Sequence, residues 1–330
     1  MNQKAIKWSI TVSILLMILF SVSLIALTMG TMNISISKLF WILTRRIDST
    51  EYTILMEIRL PRILIGIAVG GALSLVGVIL QAIFRNPLVE PYTLGISGGA
   101  ALGVSICIVF SLNQTYALSL PFFGMIGAGC VIIAIYTLNA LGMVHNIQRL
   151  LLIGVMISFI SNSCFMLIIS LAKSEQMHSI MFWTMGSLEE PNRFLVYCLL
   201  VVSLIGFLIA GIFSVDLNVL SLGEEDAFHL GLHVERIRNL LLIMASILTG
   251  FCVSISGIIG FVGLVVPHFV RQFLGSDHRT VIPASYIIGA IFLILCDLLA
   301  RTIVAPLELP VGIVTGLVGG LIFIYALVKK

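Results

Sequence analysis

Apolar residues fall in long unbroken runs along this chain, near residues 8–29, 63–84, 93–111, 119–142, 150–172, 194–214, 239–257, 260–274, 281–301 and 311–328. A helix rises about 1.5 Å per residue, so roughly 20 apolar residues cross a hydrocarbon core about 30 Å thick. A helix also closes its backbone hydrogen bonds within itself, which a lipid-exposed segment must do. The pattern therefore predicts an all-α polytopic membrane protein of about ten transmembrane helices, in a single domain over residues 1–330. The eighth run is short and follows Gly257, Gly260 and Gly263, which predicts a half-helix or a break. Three connections are long, near 30–62, 173–193 and 215–238; the others are tight turns between neighbouring helices.

Composition agrees with lipid as the solvent. The 330 residues are 59% hydrophobic and 10% charged, with a formal net charge of +3 and a mean hydropathy of +1.17. Soluble domains are about 25% charged, so this chain lacks the ions to cover a water-facing surface and has no room for a soluble catalytic domain. It also lacks the clustered basic surface that nucleic acid requires. Its six cysteines are isolated within apolar runs and read as small buried hydrophobes. The first run is too long for a signal peptide and ends without a small-residue cleavage site, so it reads as a retained span. Ten crossings put both termini on one side, and Lys4, Lys7, Lys329 and Lys330 suggest the cytoplasm. The remaining Lys and Arg divide almost evenly, leaving Arg59, Arg62 and Arg301 at the outer face.

Those arginines are the first chemical candidates. Pro61 in Arg59-Leu60-Pro61-Arg62 disfavours helix at Leu60 and is tolerated in a first turn, so both arginines are expected where the second span begins. Planar guanidinium groups there suit either lipid headgroups or the carboxylates of an external partner. Asp297 lies one helical turn before Arg301, and an i,i+4 pair would neutralise an otherwise costly carboxylate. At the other end of the second span, Asn86-Pro87-Leu88-Val89-Glu90-Pro91 forces a non-helical turn, followed by Gly95-Ile96-Ser97-Gly98-Gly99-Ala100. In the 215–238 connection, Gly223 is placed to break the chain before a short helix whose acidic first turn suits its dipole, and Gly231 to end it. The apolar Ala227, Phe228 and Leu230 of that helix need a surface to cover. None of the six histidines forms a pair at metal-ligand spacing on a spanning helix, and His268, after Pro267, is expected to bond backbone that the proline frees.

The arginines at 59 and 62, the Arg85-Asn86-Pro87-Leu88 turn and the Gly95–Ala100 run resemble the FecCD-type permeases, the membrane subunits of ATP-binding-cassette importers for iron-siderophore complexes, haem and vitamin B12. The last third agrees, in Gly257-Ile258-Ile259-Gly260-Phe261-Val262-Gly263, Pro267-His268, Arg271, Asp277-His278-Arg279, Asp297, Arg301 and Glu308-Leu309-Pro310-Val311-Gly312. The resemblance implies a vitamin B12 importer-like fold and a dimer with a second permease subunit, identical or paralogous, in the cytoplasmic membrane. It implies two separate cytoplasmic ATPase subunits, which hold ATP and Mg, and an extracellular substrate-binding protein; no cofactor is expected on this chain. In similar transporters outer arginines meet acidic residues of the binding protein, which maps onto Arg59, Arg62 and Arg301. The short helix becomes the coupling helix, with Gly223, Glu224, Glu225, Ala227, Phe228 and Gly231 against the ATPase. Candidate gate and path residues are Asn86, Pro87, Leu88, Pro91, Gly95, Ser97, Gln148 and Leu151.

Two readings from other classes compete. Gly95-Ile96-Ser97-Gly98 matches a rhomboid-like Gly-x-Ser-Gly pattern, with His268 as the base of an intramembrane serine protease. A proton-coupled secondary transporter would need buried ionisable groups, of which the spans offer little beyond Asp297. No Gly-x-x-x-x-Gly-Lys-Ser/Thr loop occurs, so ATP hydrolysis is expected of a partner chain.

Overall fold

A computed structural model describes residues 3–30, 32, 34–35, 38, 50–114, 118–140, 147–190 and 192–328. Lys329, Lys330 and most of the 30–49 connection lie outside them. Among the described residues the secondary structure is helical, without strands. Each predicted apolar run coincides with a helix: α1 (Gln3–Thr28), α2 (Leu60–Phe84), α3 (Ile96–Val109), α4 (Ser119–Ala140) and α5 (Ile147–Leu171) come first. After them come α6 (Ser174–Thr184), α7 (Arg193–Ile212), α8 (Ser214–Leu220), α9 (Glu224–His229), α10 (Val234–Ser256), α11 (Val262–Leu274), α12 (His278–Thr302) and α13 (Val311–Val328). Among the described residues seven helices are long and apolar enough to cross a membrane, while α3, α11 and α13 are shorter apolar helices.

Helix α2 is the axis of the bundle. Of its most apolar stretch 89% is buried inside the protein, against 11% for α1 and for α5. Small residues permit this, because lipid gives helices no hydrophobic reason to associate and close backbone approach supplies dispersion instead. A Cβ on Gly70 would lie 2.3 Å from the Gly289 carbonyl oxygen of α12, and one on Gly77 would lie 1.9 Å from the Gly263 carbonyl oxygen of α11. Contact partners descend along α12 as they ascend along α2, Gly66 meeting Ile294 and Gly71 meeting Tyr286, so these two helices are antiparallel. A 25-residue α2 spans about 37 Å, which puts Arg62 and His278 at opposite ends of the bundle.

Several expectations change. The helix through Pro61 starts at Thr50 rather than at Pro61, and residues Ile54–Arg59 are wound as a π-helix. The wider turn accommodates a proline that lacks an N–H and whose ring crowds the preceding carbonyls. The connection at 173–193 holds α6, and the one at 215–238 holds α8 and α9. Helix α10 begins at Val234, earlier than its apolar run, because its first turns carry Glu235, Arg236 and Arg238, which a hydropathy pattern cannot register. Cys107, Cys252 and Cys296 are buried as expected, but Cys130 and Cys164 are exposed on helices with little protein around them. The expected break before the eighth run is present: residues 257–261 are non-helical and Phe261 adopts φ +70°.

Candidate functional site

At the Arg62 end the arginines stand in a different setting from the open docking surface expected of them. Arg59, Arg62 and Arg301 are only 3%, 5% and 4% exposed, because a charge at the edge of an apolar bundle is held by whatever acceptors its own chain offers. Arg59 donates to the carbonyl oxygens of Leu27 (2.6 Å) and Met32. Leu27 lies in the last turn of α1, where carbonyls have no intrahelical partner and the dipole is negative. Arg59 thus closes α1: its positive charge, carried within one helix, gains at the negative end of another.

Arg62 donates through a single nitrogen, Nη2, to two carboxylates, Glu189 and Glu308, the latter at 2.5 Å. Its Nε and Nη1 are buried without a hydrogen-bond partner. Arg301 Nε lies 3.0 Å from Asp297 Oδ2, the i,i+4 pair the sequence predicted. Both acceptors on Arg62 are delivered by folded-back loops. The Leu309 N–H donates to the Ala300 carbonyl (3.0 Å), bringing Glu308 back over α12. The Ser187 N–H donates to the Ser256 carbonyl (2.9 Å) and the Glu189 N–H to Ser187 Oγ (3.0 Å). These groups line a cavity of about 430 Å³ together with Trp183, Leu309 and Pro310. Beside it, burial raises the pKa of the Glu190 carboxyl against the opposing hydrogen bond from the Asn192 N–H.

At the other end the 85–91 turn is locked to α2 and α11. Arg85 caps α2 in the left-handed region at φ 50°, and Asn86 Oδ1 accepts from the Leu88 N–H (2.9 Å), an Asx turn. Gln81 Nε2 donates to the carbonyls of Val89 (3.3 Å) and Gly263 (3.1 Å), while its Oε1 accepts from Arg271. The Tyr92 hydroxyl donates to the Ile259 carbonyl (2.8 Å) and accepts from the Ile259 N–H (3.1 Å). Pro91 and Gly95 are buried, Ser97 is half-buried in the first turn of α3, and Pro87 and Leu88 are exposed. Burial raises the pKa of Glu90 against a hydrogen bond from the Phe261 backbone.

Helix α9 forms where the sequence put it, between Gly223 at φ +136° and Gly231 at φ +86°. Ala227 is fully buried, whereas Phe228 is 71% exposed and Leu222 and Leu230 are exposed beside it. Glu224 pairs with Arg238 of α10 (2.8 Å). Arg85, Gln148 and residues Leu222–Asp226 border one polar cavity of about 430 Å³, so the turn, the start of α5 and α9 meet there. Leu151, one turn further along α5, packs against the core. Behind α9, Asn218 of α8 joins α12: its Nδ2 donates to Asp277 Oδ1 (2.9 Å) and its Oδ1 accepts from the His278 N–H (2.9 Å). Burial works to raise the Asp277 carboxyl pKa, but bonds from Asn218 and the Arg279 N–H, with the Arg279 and His278 charges, leave it net lowered.

His268 Nε2 faces Gln272 Nε2 at 3.2 Å and its ring packs edge-on against Phe323, so it joins side chains of α11 and α13. Sequence alone assigns no role to Gln81, Glu308, Arg271 or Asp277, and passes over Glu189 and Asn218. A lone glutamine in an apolar helix, or a carboxylate in a short loop next to a spanning segment, is the signal that could have singled them out.

An all-helical bundle wound around one buried glycine-bearing helix, charged at one end and carrying a short uncovered helix at the other, is the frame of a membrane permease. The chain belongs to the FecCD transport family, which matches residues 15–329. It is 39% identical over 324 residues to the hemin transport system permease protein HmuU of Yersinia pestis, covering 96% of this chain and 94% of that protein. It is 37% identical over 277 residues to the vitamin B12 import system permease protein BtuC of Citrobacter koseri, covering 83% and 82%. A solved inward-facing conformation of a putative metal-chelate type ABC transporter superposes with a TM-score of 0.87 at 30% identity, over 97% of this chain and 99% of that one. The protein is therefore a multi-pass permease subunit of an ABC transporter and not an enzyme; ATP hydrolysis belongs to a partner ATPase, which removes the Ser97/His268 protease reading.

Proposed function

We propose that the chain is one half of an importer that carries an iron(III)–siderophore complex across the cytoplasmic membrane. Two permease subunits, identical or paralogous, enclose the path, and two cytoplasmic ATPases with ATP and Mg drive it. The observation that carries this reading is α9, a helix with one face buried in its own bundle and Phe228, Leu222 and Leu230 left uncovered. Exposed apolar side chains of this kind at the end of a membrane bundle ask for a protein partner, and an ATPase groove supplies one. Both termini are then cytoplasmic, and the Arg62 end faces outward.

On that outward face Arg62 and Arg301 form the docking floor for an extracellular binding protein, with Arg59 supporting them by closing α1. ATP-driven displacement of α9 reaches the 85–91 turn and the start of α5 through the cavity that the three share. Asn86, Pro87, Leu88, Pro91, Gly95, Ser97, Gln148 and Leu151 lie along this inner gate. Large rigid cargo is better served by movement of such helices and turns than by tight charged ligands in the path.

Haem or vitamin B12 is the second reading of cargo, supported by the names of the two relatives. Uptake assays on cells expressing the whole importer, supplied in turn with radiolabelled ferric siderophore, haem and cyanocobalamin, test the choice. Accumulation of the siderophore complex alone fits the first reading; accumulation of only haem or only cobalamin replaces it with the second.

A further inference from the structure

We infer that Glu189 and Glu308 are resident stand-ins for a partner's carboxylates, and that docking at the Arg62 end is an exchange of ion pairs rather than the filling of a vacant site. This inference rests on the docking role proposed above for Arg62 and Arg301. Three guanidinium groups at this end, Arg59, Arg62 and Arg301, stand with three carboxylates of the same chain, Glu189, Glu308 and Asp297. The formal sum is zero, so an acidic partner meets no net attraction while the resident carboxylates stay in place.

The three carboxylates are not equivalent. Asp297 is buried on the same helix as Arg301 and cannot leave it. Glu189 is 61% exposed at its side chain and Glu308 is 37% exposed; both sit on loops and can swing into water at little cost. Their hold on Arg62 is also incomplete. Both accept from Nη2, and Nε and Nη1 are left without partners. A buried guanidinium with idle donors is poorly satisfied, and a planar fork gains most from a carboxylate that engages two of its nitrogens at once. The cavity of about 430 Å³ over these groups has room for incoming carboxylate side chains. A carboxylate brought by a partner can therefore take Arg62 in a better geometry than either resident, while the residents are released to solvent. Without a partner, the residents keep a buried positive charge neutralised.

The test measures the affinity of the substrate-free binding protein of the same importer for the permease–ATPase complex in lipid nanodiscs, at fixed ionic strength. Glu189→Gln with Glu308→Gln keeps the shape and one acceptor oxygen on each side chain but removes both competing charges, and binding is expected to tighten roughly fivefold. Glu308→Gln alone, which leaves Glu189 paired, should give a smaller tightening and guards against misfolding of the double variant. Arg62→Gln should weaken binding at least about tenfold, and adding it to the double variant should abolish the tightening. An Arg62→Gln loss with unchanged or weaker binding in both glutamate variants would overturn the exchange and leave the docking site standing. Unchanged binding in Arg62→Gln would overturn the docking role and the exchange together.

Discussion

The two ends of the bundle are built on opposite principles. At the Arg62 end the three buried arginines already have internal partners: Arg59 closes α1, Arg62 holds two glutamates and Arg301 holds Asp297. At the Arg85 end α9 is also rich in charge, but large apolar side chains, Leu222, Phe228 and Leu230, stand uncovered beside it. The difference teaches what each end asks of its surroundings. A partner at the first end gains only by replacing ion pairs, so contact there is reversible and sensitive to salt. A partner at the second end gains by covering apolar surface that nothing else covers, so contact there is durable and suited to transmitting force.

Experiments can break this contrast at either end. The largest effect is expected from Phe228→Glu combined with Leu230→Glu on α9, which should abolish ATP-driven uptake and release the ATPase from the purified complex, as read by co-elution. Retention of the ATPase would place the durable contact elsewhere. Next comes Gln81→Leu, which removes the donor to Val89 and Gly263 and leaves Arg271 only the long bond to the Val78 carbonyl (3.4 Å). An unsatisfied buried group costs about 1–3 kcal/mol, so the melting temperature in detergent should fall and the 85–91 turn should gain protease sensitivity.

Salt comes third. Raising ionic strength from low to about 0.5 M should weaken binding-protein affinity several-fold while leaving permease–ATPase association almost unchanged; equal sensitivity at both ends would erase the distinction. The smallest effect is at Asp277. Because its carboxyl pKa is net lowered in the fold, its contribution is present above the ordinary aspartate range and is lost as pH falls through the lowered value. Asp277→Asn should flatten a slight acid-side loss of melting temperature.

How much of this was legible in the sequence depends on the range of the interaction. The apolar runs marked every long helix because hydropathy is a property of consecutive residues. Helix α9 was legible from Gly223, three acids and Gly231, and the Asp297–Arg301 pair from its i,i+4 spacing, both local signals. The setting of the arginines was not. Arg62 meets carboxylates 127 and 246 positions away, and Arg59 meets a helix end 32 positions back; such pairs exist only once the loops have folded over the bundle. Pro61 misled for a related reason. A local rule starts the helix there, but the chain continues helical through it as a π-turn, with Leu55 packed against Leu24 and Leu27 of α1.

The central claim is that this chain is a passive half of a membrane path, moved by nucleotide turnover in other proteins through α9. Reconstitution in sealed vesicles tests it most directly, with the permease alone, with its ATPase, and with its ATPase and the Phe228→Glu, Leu230→Glu chain, each given loaded binding protein and internal ATP. The account predicts uphill accumulation only in the second case. Sustained accumulation by the permease alone, or undiminished accumulation by the α9 variant, would contradict it.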